Sequence, residues 1–197
     1  MTSADRFLLH VCCAPCLSAA RETLRRLPEG SVPPVAGIFF HNPNIHPLLE
    51  FRRRIKALQV YLERDPAPAE IDAEYGLRTF LEQVCPGATA PADRRDRCRR
   101  CYAMRLRKTA ENAAAAGIGG ISTTLLASRE QDRDLVAAAG REAAAAHGLR
   151  FIETDLRRFL PEEKMLRGIY KQQYCGCIFS EEERFRGTRK HLYGEIG

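Results

Sequence analysis

The chain is expected to fold as an α/β protein, a Rossmann-like open and mostly parallel sheet with helices on both faces. Short apolar runs alternate with segments of helical period along the sequence, as strand–helix units require. Glycine and proline fall where those helices must stop. The 197 residues suit one domain, spanning 1–197, with a core large enough to need no staples.

Taken in order, Phe7-Leu-Leu-His-Val-Cys12 reads as a buried strand. Pro15 and Ser18 then open a helix that runs to about Leu27. Val35 to Phe40 is the second strand. Leu48, Phe51, Ile55, Leu58 and Leu62 repeat at helical spacing, so this stripe faces the core and Arg52, Arg53 and Lys56 lie elsewhere. Pro66 and Pro68 end that helix, and a weak strand is expected near Glu70 to Asp72. Cys85 to Asp96, with Pro86, Gly87 and Pro91, reads as a loop into a helix from near Cys98 to about Ala116, stopped by Gly117. Gly120 to Thr124 is a strand, Asp132 to His147 an alanine-rich helix stopped by Gly148, and Leu149 to Glu153 a last strand.

In open α/β sheets, ligands bind in the crevice beyond the carboxyl ends of the strands. Cys12, His41 with Asn42, and Thr124 follow three such ends and are expected to converge.

The formal net charge is +6, and the basic residues come in runs. Arg52-Arg53-Arg54-Ile-Lys56 is one, read as a solvated helix face. Arg94-Arg95-Asp-Arg97-Cys-Arg99-Arg100 is the other and encloses a cysteine pair, which suits a phosphate-bearing partner such as RNA. The start of the chain lacks a secretory signal pattern and no run reaches the roughly 18 apolar residues of a membrane span, so a cytoplasmic protein with no membrane partner is expected. Neither Gly-x-x-x-x-Gly-Lys-Ser/Thr nor Gly-x-Gly-x-x-Gly occurs, and Cys13-Ala-Pro-Cys16 stands where a phosphate loop would follow the first strand. ATP cleavage is therefore not supported.

The eight cysteines carry the chemistry: Cys12-Cys13-Ala-Pro-Cys16, Cys98-Arg-Arg-Cys101, Cys175-Gly-Cys177 and the isolated Cys85. Closely spaced thiolates serve soft metals, and three separated clusters imply one folded site. Consecutive side chains on extended backbone point opposite ways, so Cys12 and Cys13 are expected to serve two neighbouring centres. Seven clustered thiols also exceed the four that one zinc ion or one cubane needs. Iron–sulfur, zinc and dithiol exchange all remain open on the residues alone. The ligand set expected from clustering is Cys12, Cys13, Cys16, Cys98, Cys101, Cys175 and Cys177, without Cys85.

Five motifs occur together: Leu9-His-Val-Cys-Cys-Ala-Pro15, Asn42-Pro-Asn-Ile-His-Pro47, Arg97-Cys-Arg-Arg-Cys-Tyr102 with Arg105-Leu106, Ser122-Thr-Thr-Leu-Leu126, and Gln173-Tyr-Cys-Gly-Cys-Ile-Phe-Ser180. In this order and spacing the chain resembles the cobalamin-independent epoxyqueuosine reductases from about residue 7 to residue 180. The resemblance implies an oxidoreductase of tRNA modification, removing the epoxide oxygen of epoxyqueuosine at the wobble position in the last step of queuosine synthesis. It also implies a [4Fe-4S] cluster beside a second, mononuclear iron ion. Relatives tend to have Tyr where this chain has His41, Ser-Pro-Tyr-Gln where it has Ser128-Arg-Glu-Gln131, and in some cases Asp at Cys16.

On this reading Cys12, Cys98, Cys101, Cys175 and Cys177 hold the cluster, while Cys13, Cys16 and His10 act at the reacting centre. Arg94, Arg95, Arg99 and Arg100 contact tRNA phosphates, and a ferredoxin or flavodoxin supplies electrons. His41, Tyr174 and Asp96 are further proton-donor candidates beside His10. The competing class is a zinc–thiolate RNA-binding module without redox turnover.

Overall fold

The computed structural model describes residues 2–87, 93–160 and 163–186. Five strands form one parallel sheet in the order β3-β2-β1-β4-β5: β1 (Phe7–His10), β2 (Val35–Phe40), β3 (Ala69–Ile71), β4 (Gly120–Thr123) and β5 (Arg150–Phe151). Every pairing is parallel. The connecting helices are α1 (Ala14–Arg26), α2 (Leu48–Arg64), α3 (Leu77–Val84), α4 (Arg94–Ala115) and α5 (Arg133–Ala145), with α6 (Glu163–Leu166) and α7 (Ile178–Phe185) near the end. The expected α/β architecture is borne out.

Strand alternation sorts the apolar residues into two layers. Phe7, Leu9, Ile38 and Phe40 pack with Leu17 of α1 and with Phe51, Leu58 and Tyr61 of α2. Leu8, Phe39 and Ile121 face the other way, against Leu106 and Ala110 of α4 and Val136 and Ala139 of α5. Burying each large side chain stabilises the fold by about 1.5–3 kcal/mol. A third, smaller core of Phe80, Val84, Cys101, Met104 and Cys177 ties α3 to α4 and to the segment ahead of α7.

Three expectations need correction. The helix holding Cys98 starts at Arg94, because Asp93 caps it by accepting a hydrogen bond from the Asp96 amide at 2.8 Å. The chain just before Cys85 is helical: α3 has no counterpart among the expected elements, and Cys85 is its C-terminal cap. Arg54 does not share the solvated face of Arg52 and Arg53 but is buried in the core side of α2. The expected glycine stop is present, since Gly117 takes φ +66° just past α4.

The sheet order reverses between β1 and β4, and this switch point is where a parallel α/β sheet opens a crevice. The residues that leave those strands toward it are Cys12 and Thr124.

Candidate metal centre

The strand ends converge as expected. His10 Nδ1 lies 2.8 Å from Thr123 Oγ1 and its Nε2 lies 3.2 Å from the His41 carbonyl oxygen. The Cys12 amide donates to Thr124 Oγ1 at 3.0 Å, and the Thr124 hydroxyl lies 3.3 Å from Cys12 Sγ. Asn42 Nδ2 donates to the Val11 carbonyl at 2.8 Å.

On this floor stands the first thiol set. β1 ends at His10, so Cys12 and Cys13 lie in the turn into α1 and not on extended strand. Cys13 caps α1, which carries Cys16 in its first turn. The Sγ atoms of Cys12, Cys13 and Cys16 all lie within 4.8 Å of one another, and those of Cys12 and Cys13 are 3.7 Å apart. Cys12 and Cys13 therefore do not point to opposite sides, as extended strand was expected to place them. Three sulfurs meet at a helix N-terminus whose dipole favours anionic ligands.

The second set comes from two places. Cys98 and Cys101 share one face of α4, and Cys175-Gly-Cys177 leads into α7. Cys175 Sγ and Cys177 Sγ are 3.8 Å apart, and burial together with the charge of Cys175 pushes the Cys98 thiol up. Cys101 is pushed up to about 11, mainly by burial, with Cys175 and Cys98 adding to it. Cys101, Cys175 and Cys177 share the third core, but among the described residues no three of these four thiols come within 4.8 Å of one another as the first set does.

Each set favours one thiolate. Cys12 is held well below the ordinary thiol range by hydrogen bonds from Cys13 and Cys16, with the Arg105 charge contributing. Cys175 is lowered to about 5 by the hydrogen bond from Cys177 and by the Ser180 hydroxyl, 2.9 Å away. Their neighbours carry the protons: Cys13 rises to about 12, and Cys16 and Cys177 rise as well, each through its bond to the thiolate. A metal ion would replace those protons, and neither set contains a carboxylate. Soft, sulfur-only donors fit iron–sulfur chemistry or zinc and do not fit magnesium or calcium.

Arg54 joins the two sets. Its Nη1 and Nη2 donate to the carbonyls of Cys175 and Tyr174, both at 2.9 Å, and its charge favours the ionised forms of both Cys13 and Cys175. Glu50 holds the guanidinium at 2.7 Å and accepts from the Tyr170 hydroxyl at 2.5 Å. Gly176 adopts φ +120°, and a Cβ there would sit 3.0 Å from Ile45 and 3.2 Å from Arg54 Nη1, so the turn closes tightly over the arginine. From the same segment, Gln172 Nε2 donates to Cys13 Sγ at 2.8 Å, while its Oε1 is buried with no partner in the protein.

A pocket of about 230 Å³ opens beside the second set, lined by Arg94, Arg97, Cys98, Gln131, Tyr174 and Cys175 among others. A larger cavity of about 980 Å³ lies at the amino ends of the strands, near Val35 and Arg150, and contains no cysteine. Ligand sites in this architecture belong at the carboxyl ends, so the smaller, thiol-lined pocket is the relevant one.

The other expected residues fall as follows. Arg94, Arg95, Arg99 and Arg100 line the exposed start of α4, each beside a carboxylate: Glu183, Asp132 and, for the last two, Asp96. Asp96 is held below the usual carboxylate range by Arg100 and Arg99. His10 is fully buried, and that burial lowers it to about 3; both ring nitrogens are engaged, so the side chain is a neutral strut in the sheet. His41 pairs with Asp72 at 2.7 Å, and the Tyr174 hydroxyl donates to the His46 carbonyl at 2.5 Å. Cys85 packs at the edge of the third core.

Sequence reasoning missed Arg54, Gln172, Thr124 as a thiol partner and any role for Arg105. Arg54 was accessible in principle, since it lies three residues after Phe51 and four before Leu58 on the buried stripe, and four after Glu50.

Fold and centre together define an α/β protein with a cysteine triad that could hold a soft metal ion at the switch point of a parallel sheet. A sequence profile of the family described as Epoxyqueuosine reductase QueH matches residues 7–183, and the chain belongs to that family of oxidoreductases. Relatives named Epoxyqueuosine reductase QueH include the protein of Dehalococcoides mccartyi, 30% identical over 92% of this chain and 96% of the relative. Those of Thermotoga maritima and Acinetobacter baylyi are each 32% identical over 90% of this chain, covering 91% and 81% of the relatives.

Proposed function

We propose that the protein reduces epoxyqueuosine to queuosine at the wobble position of tRNA, without cobalamin. The observation that carries this reading is the meeting of Cys12, Cys13 and Cys16 at the carboxyl end of β1, in a chain of this family. Cys98, Cys101, Cys175 and Cys177 would hold a [4Fe-4S] cluster, and Cys12, Cys13 and Cys16 the second iron. When bound, these groups supply electrons one at a time and a Lewis acid for the epoxide oxygen. The overall change breaks both carbon–oxygen bonds of the epoxide and forms a carbon–carbon double bond. It consumes two electrons and two protons and releases water.

The protein's own contribution is positioning. Arg54 fixes the Cys175–Cys177 turn, Thr124 and Gln172 orient Cys12 and Cys13, and His10 braces the strand ends beneath them. The pocket beside Cys98 and Cys175 admits the nucleoside, and the arginines at the start of α4 lie where a tRNA backbone would approach. The place of work is the cytoplasm, with a ferredoxin- or flavodoxin-type protein as electron donor. No helix among the described residues is long and apolar enough to cross a membrane.

The test is anaerobic turnover of reconstituted protein with a strong reductant and epoxyqueuosine-containing tRNA, the nucleosides being read by mass spectrometry. Queuosine should form without cobalamin. Its formation only with added cobalamin, or its absence although both iron centres are present, overturns the reading. A colourless, zinc-loaded protein that binds tRNA without turnover identifies the RNA-binding alternative instead. Single Cys98→Ser and Cys175→Ser variants should lose iron and sulfide, and Cys85→Ser should keep them.

A further inference from the structure

Three arginines are buried almost completely: Arg54, Arg97 and Arg105, at 2%, 5% and 3% exposure. A guanidinium does not lose its proton in a protein, and a buried cation without a counter-charge is strongly unfavourable. Arg54 has Glu50 at 2.7 Å and Arg97 has Glu183 at 2.8 Å. Arg105 pairs with no carboxylate among the described residues. Its Nη2 donates to Asn42 Oδ1 at 2.5 Å, its Nη1 lies 4.0 Å from Cys101 Sγ, and its Nε has no partner in the protein.

A neutral amide cannot balance this charge. What lies beside Arg105 instead is sulfur: its Nη1 is 4.0 Å from Cys101 Sγ. Asn42 is itself anchored to the Val11 carbonyl, so the guanidinium is aimed by the loop that leaves β2. Helix α4, the end of β1 and that loop thus converge on one cation beside Cys101.

We propose that Arg105 is the fixed counter-cation of the thiolate centre, a positioning residue balanced by the metal-bound Cys101 thiolate and biasing the centre toward its more negative, reduced state. This rests on the reading that the thiolates bind metal, and its strongest form on their binding iron. Removing the cation should weaken metal binding and lower the reduction potential; keeping the charge in another shape should preserve both.

The variants are Arg105→Met, which removes the charge, and Arg105→Lys, which keeps it, with the exposed Arg141→Gln as control. Anaerobic metal-free protein is titrated with cobalt(II), followed by thiolate charge-transfer absorption. Arg105→Met should bind about tenfold more weakly, and Arg105→Lys and Arg141→Gln within about threefold of the parent. In iron-reconstituted protein, the potential of Arg105→Met should fall by a tenfold change in the one-electron equilibrium, about 59 mV.

Equal cobalt affinity in Arg105→Met and the parent overturns the inference. So does equal weakening in Arg105→Met and Arg105→Lys, which would assign the effect to the hydrogen bond with Asn42. Should Arg105→Met not fold by circular dichroism, Asn42→Asp places a carboxylate beside the guanidinium. It should weaken cobalt binding, and unchanged affinity counts against the proposal. If the cobalt series behaves as expected while the parent never holds an iron chromophore, the iron reading fails and the counter-cation stands.

Discussion

The two thiol sets are assembled by opposite routes. Cys12, Cys13 and Cys16 come from one strand-to-helix turn, so forming β1 and the first turn of α1 brings them together. Cys98 and Cys101 come from α4, and Cys175 and Cys177 from a segment that arrives after the whole sheet is built. Closing such a long loop costs more chain entropy than closing a turn, and something must offset it before metal is present. Arg54 does so, with hydrogen bonds to two carbonyls of the arriving segment and its charge near thiols of both sets. A local site preforms; a non-local one needs a clamp.

The sharpest way to break this comparison is to remove the clamp. Arg54→Met leaves the buried Glu50 without its cationic partner, so unfolding in denaturant should show a loss of about 3–5 kcal/mol. Metal retention should fail first at Cys98, Cys101, Cys175 and Cys177, with the three-cysteine set still able to bind cobalt. The double variant Arg54→Met with Glu50→Gln should recover part of the stability but not the geometry of the turn. Undiminished stability in the single variant would show that the 174–177 segment is held by its apolar packing alone.

The same contrast explains what the sequence reveals. The first set is legible because its thiols, strand and helix start lie in ten consecutive residues, Phe7 to Cys16. Its side-chain directions are not, because the chain leaves β1 two residues earlier than the apolar run suggests. For the second set the cysteines are legible by spacing and the clamp is not. Arg54 sits in a run of three arginines, where charge argues for solvent and only the partner Glu50 and the remote carbonyls argue for burial. Likewise α3 carries an apolar period of only eight residues, too short to stand out before the third core is known. Long-range polar interactions leave little trace in a single sequence.

A second test concerns the floor under the first set. His10 is neutral in the fold, held at about 3 by burial, against about 6.5 when the chain is unfolded. Between these values the unfolded chain binds a proton that the folded chain refuses, so stability falls as the pH drops from about 6.5 toward 3. The slope is about 1.4 kcal/mol per pH unit from this group, roughly 4–5 kcal/mol across the window. The His10→Asn variant, which cannot take up that proton, should show a flatter acid-side profile in denaturant titrations at several pH values. An unchanged slope would mean that His10 does not couple the first set's floor to pH.

The smallest expected effect lies on the surface, and it distinguishes the sets by their surroundings. Four arginines flank the Cys98–Cys101 pair at the start of α4, where Arg94, Arg95, Arg99 and Arg100 each face a carboxylate. Exposed pairs of this kind hold by about 0.2–1 kcal/mol and are screened by salt, so a phosphate can displace the acid at little cost. If tRNA docks over this set, replacing all four by glutamine should weaken binding and flatten its salt dependence by about one unit of slope for each phosphate no longer neutralised. Fluorescence anisotropy with tRNA between about 50 and 200 mM salt reads this directly, and the visible spectrum of the metal centre should not change. Weaker binding with the slope intact would assign these arginines to local helix packing. An altered spectrum would mean that the surface ion pairs reach through α4 to Cys98 and Cys101, making the second set still more dependent on its surroundings than Arg54 implies.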